Sequence, residues 1–222
     1  DINCRKFCMA IITDFDLCVE RNAQRDRKVP YDVIKKMYLT FDIPQFREGW
    51  DYIGIKINRK SDKSYDITEL VDHLSTIPHD NPHHVLSIGN HIIATTNRIR
   101  EKYSLSFAGD IERLNALSMA AFCHDIGKEF CKTFKNSKGE LGDIAHYYGH
   151  ENVSAYMFIL YTEGMLENLE DILYIADLIG LHMRLFVPEE SEEKALNKLK
   201  QLIGERKFED LCILHEADVS CS

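Results

Sequence analysis

The chain begins with a short apolar run, Phe7–Thr13 (FCMAIIT), of the length expected for a buried strand. Residues 14–28 are polar, crowded with Arg21, Arg25 and Arg27, and show no clear period. Pro30 suits a helix start, where its missing N–H costs nothing. Val33, Ile34, Met37, Tyr38 and Phe41 then recur three and four apart, which predicts a helix that Pro44 closes. Residues 52–57 (YIGIKI) alternate like a strand. Residues 58–65 (NRKSDKSY) offer no apolar anchor and mark a boundary.

From Ile67 onward the spacing is helical almost throughout. Segments near 83–103, 110–124, 150–163, 167–184, 191–203 and 205–219 each place apolar residues three and four apart. Thr68, Glu69 and Val71 start a further short helix. Residues 134–147, with Gly139 and Gly142, read as the longest loop. There is no internal repeat and no low-complexity tract. The pattern predicts a mostly α protein: a small α/β piece over residues 1–60 and a helical bundle over 66–222. The first piece has too few apolar positions to bury a core alone, so it is expected to pack on the bundle.

Composition narrows the function. The 222 residues are 45% hydrophobic and 28% charged, an ordinary globular balance. A net charge of −9 excludes nucleic-acid binding by bulk electrostatics, so any such contact needs a local basic patch. No apolar run approaches membrane-spanning length and no signal peptide is visible. Seven scattered cysteines match neither a disulfide framework nor a paired zinc motif, and are expected to be reduced thiols of a cytoplasmic protein.

The candidate chemistry lies in ten histidines, most of them in the helical part. Imidazoles among aspartates, without a thiolate, suit a hard or borderline divalent ion. The central feature is Phe122-Cys123-His124-Asp125-Ile126-Gly127-Lys128. His124 and Asp125 can flank one ion, and an aspartate there can bridge two. Gly127 is expected to end the helix in a left-handed conformation, leaving Lys128 near the site.

In order along the chain, these motifs resemble the HD superfamily of metal-dependent phosphohydrolases. The early helix would be entered through Asn81-Pro82 and run on from His83-His84 to His91. His91 matches the first ligand, with His84 as its competitor. His124 and Asp125 match the signature pair, Gly149-His150-Glu151 the second-metal histidine, His182 a further ligand, and Asp218 the closing aspartate. The resemblance spans residues 67–222. It implies an HD-type helical bundle holding one or two divalent ions (Mn, Fe, Mg, Zn, Ni or Co) that acidify a water for attack on phosphorus. Asp125 and Lys128 would be catalytic, with Lys128 stabilising charge on the phosphoryl oxygens. His84, His146 and Lys132 would contact substrate. Lys135, farther along, reads as a solvated residue, and Tyr147 and Tyr148 either stack on a base or cover the core.

A second resemblance covers the first 60 residues. Arg25-Asp26-Arg27-Lys28-Val29-Pro30, the helix after it and Glu48-Gly49-Trp50-Asp51 look like the C-terminal lid segment of phage-type polynucleotide kinases. That would make Arg25 and Arg27 substrate-contacting lid residues. The family's phosphate-binding glycine loop is absent from these residues, so kinase activity is not expected of them. Together the resemblances imply a phosphatase acting on nucleic-acid ends or nucleotides. The alternative is a non-catalytic module that binds such ends for an attached kinase.

Overall fold

The computed structural model describes residues 4–82, 84–188 and 191–222, and the protein is mostly helical. In the N-terminal piece, β1 (Phe7–Thr13) pairs in parallel with β2 (Tyr52–Asn58), from Phe7 opposite Tyr52 to Thr13 opposite Asn58. Parallel strands need a crossover, which α1 (Phe15–Ala23) and α2 (Tyr31–Leu39) supply. β1 is only half-buried, because Ala10 and Ile12 face the core while Phe7, Met9 and Ile11 face outward. Two other expectations change here. Within the polar stretch 14–28, Asp14 caps α1 by accepting from the Asp16 and Leu17 amides, and Phe15 buries the first turn. And α2 stops at Leu39, capped by Thr40, well before Pro44.

The remaining elements form the bundle. They are α3 (Ile67–Leu74), α4 (Ile88–Tyr103), α5 (Ile111–Cys123), α6 (Lys128–Cys131), β3 (Thr133–Lys135), β4 (Leu141–His146) and α7 (His150–Tyr161). Then follow α8 (Leu169–Leu181), a 3-10 segment (His182–Leu185), α9 (Glu192–Ile203) and α10 (Glu205–Ser220). α5 lies at the centre, packed against α4, α7, α8 and α10. The expected early helix begins only at Ile88, where the Ser87 hydroxyl accepts from the Asn90 amide. His84 therefore sits in the preceding loop, and His83 lies outside the described residues. The expected loop at 134–147 contains the antiparallel pair β3–β4, turned at Asn136–Gly139. Asn136 organises that turn by accepting from the Lys138 and Glu140 amides.

One hydrophobic cluster runs through both parts, joining Ala10, Ile12, Phe15 and Ile53 to Ile92, Leu117, Phe158, Leu178 and Leu214. Polar contacts fasten the seam. The Tyr156 hydroxyl accepts from the Thr13 amide at 2.6 Å and donates to the Thr13 carbonyl at 3.0 Å. Gln45 Nε2 donates to the Leu173 carbonyl at 3.1 Å, and Arg47 forks onto Asp177 of α8. Among the described residues no helix is long and apolar enough to cross a membrane.

Candidate metal centre

α5 delivers the central pair. Its last turns are anchored by buried Ala120, Ala121 and Cys123, and the chain then turns through His124–Gly127. His124 and Asp125 thus lie just beyond the helix rather than on its face. Gly127 is not left-handed (φ −82°, ψ −7°). It is glycine because the turn presses on α7: a Cβ there would meet Ser154 N at 2.8 Å and the His150 carbonyl at 2.9 Å. Its own N–H donates to Ser154 Oγ at 2.9 Å. This close approach sets Asp125 beside His150, 25 residues away in sequence.

Two buried groups of side chains, each able to hold a metal ion, meet at Asp125: His91, His124 and Asp125 in one, Asp125, His150 and His182 in the other. In the first, Asp125 Oδ2 is 3.2 Å from His124 Nε2 and 3.5 Å from His91 Nε2. Asp218 from α10 adds Oδ1 at 2.9 Å from His91 Nε2 and 3.7 Å from His124 Nε2. In the second, Asp125 Oδ1 is 3.2 Å from His150 Nε2 and 3.8 Å from His182 Nε2. One carboxylate thus turns an oxygen to each group. All six expected ligands converge, and His91, not His84, belongs to the first group.

The rings are oriented by backbone carbonyls. Nδ1 of His124, His150 and His182 lies 2.7–2.8 Å from the carbonyls of Ala121, Tyr147 and Ile179, and Nδ1 of His91 lies 3.2 Å from that of Cys221. Each Nδ1–H donates outward, which leaves Nε2 as the inward lone pair. The consequence is electrostatic. His91 Nε2 faces His124 Nε2 at 3.3 Å and His150 Nε2 faces His182 Nε2 at 3.2 Å, and two lone pairs at that range repel unless a proton or cation joins them. In the first group burial opposes charge on His124, but Asp125 and Asp218 outweigh it and raise its pKa to about 10. In the second, burial and the neighbouring His150 depress His182 to about 3. Asp125 itself stays far below the usual carboxylate range, since His124 and Lys128 overcome the cost of burying it. Both of its oxygens lack a well-formed hydrogen bond, even though Lys128 Nζ comes within 2.7 Å of Oδ2. Orphaned carboxylate oxygens among inward imidazole nitrogens fit a divalent ion.

Lys128 is buried at the start of α6 and held from several sides. Besides Asp125, its Nζ donates to His79 Nε2 at 3.2 Å and lies 5.5 Å from the centre of the Tyr147 ring. His79 can accept because its Nδ1–H donates to the Leu86 carbonyl at 2.7 Å, and because burial and Lys128 keep it neutral with a pKa of about 4. His79 stacks on His84 with ring centres 4.0 Å apart, and His84 is likewise depressed to about 3 by burial and Lys128. The loop carrying both is stapled down: Tyr147 donates to the His79 carbonyl, and the Asp80 carbonyl accepts from the Ala145 amide. The sequence leaves His79 open between substrate contact and surface solvation, and the structure buries it against Lys128. It lies outside any helix, and only its loop's attachment to β4 brings it to Lys128.

A cavity of about 730 Å³ opens over this floor, lined by His84, Asp125, Lys128, His146, His150, His182 and Asp218 among others. His84 and His146 therefore reach the site as expected. Lys132 does not: its Nζ is spent on Asp80 at 2.7 Å and the Pro78 carbonyl at 2.6 Å. Arg25 and Arg27 do not line this cavity either. Arg25 lines a separate cavity of about 500 Å³ between β1, α1 and α2, and Arg27 is exposed. Lys135 is exposed on β3. The aromatic pair that the sequence leaves open divides: Tyr147 is committed to holding His79 and Lys128, whereas Tyr148 is 48% exposed at the cavity. No protein-family model matches the chain, and no solved structure matches it.

Proposed function

We propose that the chain is a metal-dependent phosphohydrolase of the HD type. It would remove a phosphate, as a monoester or 2′,3′-cyclic ester, from a nucleic-acid end or a nucleotide. The observation that carries this reading is the pair of buried histidine–aspartate groups sharing Asp125 beneath an open cavity. His91, His124, Asp125 and Asp218 would hold one divalent ion, and Asp125, His150 and His182 a second. The donor set admits Mn, Fe, Mg, Zn, Ni or Co. Bound there, the ions supply Lewis acidity and a nucleophilic water.

The chain's own residues perform the rest. Asp125, held ionised by His124 and Lys128, sets the position of the charge at the floor. Lys128, fixed by Asp125, His79 and Tyr147, presents an ammonium to the phosphoryl oxygens without reorganising during the reaction. His84 lines the cavity with a buried Nδ1 that has no partner, and it offers substrate a neutral polar contact. The nucleic-acid or nucleotide substrate rests on the resemblance of residues 1–60 to a polynucleotide kinase's lid segment. Seven unpaired cysteines support a reducing, cytoplasmic setting.

Metal loading tests the reading. Manganese-saturated protein, freed of excess, should retain about two ions per chain by elemental analysis and hydrolyse nucleoside phosphate esters. Asp125→Asn should lower the metal content and cut turnover by at least about a thousandfold with far-UV circular dichroism preserved. Full metal loading with binding of esters but no turnover would instead identify a non-catalytic end-binding module.

A further inference from the structure

The cavity has an ionic floor and an aromatic, apolar mouth. From the end of β4 comes Tyr148, whose ring stacks on His146 with centres 5.4 Å apart and planes 11° from parallel. The Tyr148 hydroxyl has no hydrogen-bond partner among the described residues. Beyond the 3-10 segment comes Phe186, 51% exposed and braced edge-on by His215 of α10 at 4.5 Å. Met183 and Val219, also exposed, line the same cavity. Each brace takes part of its ring and leaves about half of the side chain exposed. Large apolar side chains held open around a charged pocket mark a ligand surface rather than a core.

The ligand's chemistry follows from the two halves. A floor of paired cation sites and Lys128 selects a phosphate. A phosphate alone would leave both rings in water, and so would a sugar phosphate. The complementary molecule is an ester whose alcohol carries a flat π-system. Resting on the proposed phosphohydrolase reading, the geometry points to a base-stacking subsite: Tyr148 and Phe186 receive the nucleobase of the nucleotide whose phosphate lies over Asp125 and Lys128. Stacking tolerates every base, since each has a π-face. Purines, with more ring surface, should bind more tightly than pyrimidines.

Adenosine, which lacks a phosphate, isolates the subsite. Its binding to the manganese-loaded protein can be followed by calorimetry, with ribose as the comparison. Tyr148→Ala and Phe186→Ala are substitutions of exposed side chains, and far-UV circular dichroism and metal content verify that each variant is intact. Adenosine should bind at least tenfold more tightly than ribose, and each variant should lose about tenfold of that affinity. The preference in kcat/KM for adenosine 3′-monophosphate over glycerol 2-phosphate should fall by a similar factor in each variant, through KM. If both esters are hydrolysed but adenosine binds no better than ribose, the subsite is overturned while the hydrolase stands. If no ester is hydrolysed yet both variants lose adenosine, the subsite stands while the hydrolase reading falls. Unchanged adenosine affinity in both variants overturns the assignment of these two rings.

Discussion

At Gly127 a missing side chain shapes the candidate metal centre. The backbone there is right-handed and unstrained, so conformational freedom is not what demands glycine. Proximity is: a methyl group would meet backbone atoms of α7 at 2.8 and 2.9 Å. Gly127→Ala must therefore push the start of α7 away from the turn that carries Asp125. Overpacking of this kind costs about 2 kcal/mol, readable as a lower urea midpoint. The displacement acts on His150, so the second group should suffer before the first. Manganese content is expected to drop from about two to about one per chain, with the ion at His91, His124 and Asp218 retained. Loss of both ions together, or of neither, would contradict that order. The candidate ligands stood in the sequence as an ordered series of histidines and aspartates, and the fold brings them together. What was not readable is how each ring is aimed, because Ala121, Tyr147, Ile179 and Cys221 contribute only their carbonyls, and any residue type has one.

Among the elements, legibility followed apolar spacing. Strand β1 was visible as an apolar run and β2 by its alternation, and α2, α3, α5 and α7 to α10 by apolar residues three and four apart, whereas the single turn of α6 carried no such signal. α1 was not visible either, since its amphipathic signal is diluted by Glu20, Arg21 and Asn22 and its start depends on one cap. That cap, Asp14, is 2% exposed, accepts from two amides of α1 and is 2.9 Å from Lys63 Nζ. Asp14→Ala removes the cap and strands the half-buried lysine, and should destabilise the protein by about 1–2 kcal/mol. Asp14→Asn keeps a capping oxygen and should cost less. The pair also gives stability a pH dependence of known sign. Burial would raise the Asp14 pKa, but Lys63 and the Leu17 amide reverse this and hold it below the usual carboxylate value. The unfolded chain therefore takes up the proton first. The stabilisation is complete above the unfolded pKa of about 3.9 and is lost as pH falls through that value to the folded one. Between pH 7 and pH 3 the urea midpoint of Asp14→Asn should fall less than that of the unsubstituted protein; equal falls would remove Asp14 from the account.

Across the whole molecule, the apparent boundary at residues 58–65 divides the composition without dividing the core. Those residues are polar because they cross a surface, yet Ile12 and Ile53 on one side share a cluster with Phe158 and Leu178 on the other. Local pattern reports what a segment is made of, whereas shared burial depends on what it meets. The Tyr156–Thr13, Gln45–Leu173 and Arg47–Asp177 contacts were illegible for that reason, each joining residues more than a hundred positions apart. If the two parts share one core, they should unfold together, and metal bound only in the bundle should stabilise both. The sequence provides the probe, because its single tryptophan, Trp50, sits in the N-terminal piece, just before β2. Thermal unfolding followed by Trp50 fluorescence should coincide with that followed by far-UV circular dichroism, which is dominated by the bundle's helices. Manganese at about a hundred times its dissociation constant should add about 2.7 kcal/mol for each ion bound. That gain should raise both midpoints equally. A Trp50 transition that came early and ignored manganese would mean that residues 1–60 melt as a separate unit. The polar seam would then be a contact between two domains rather than part of one core.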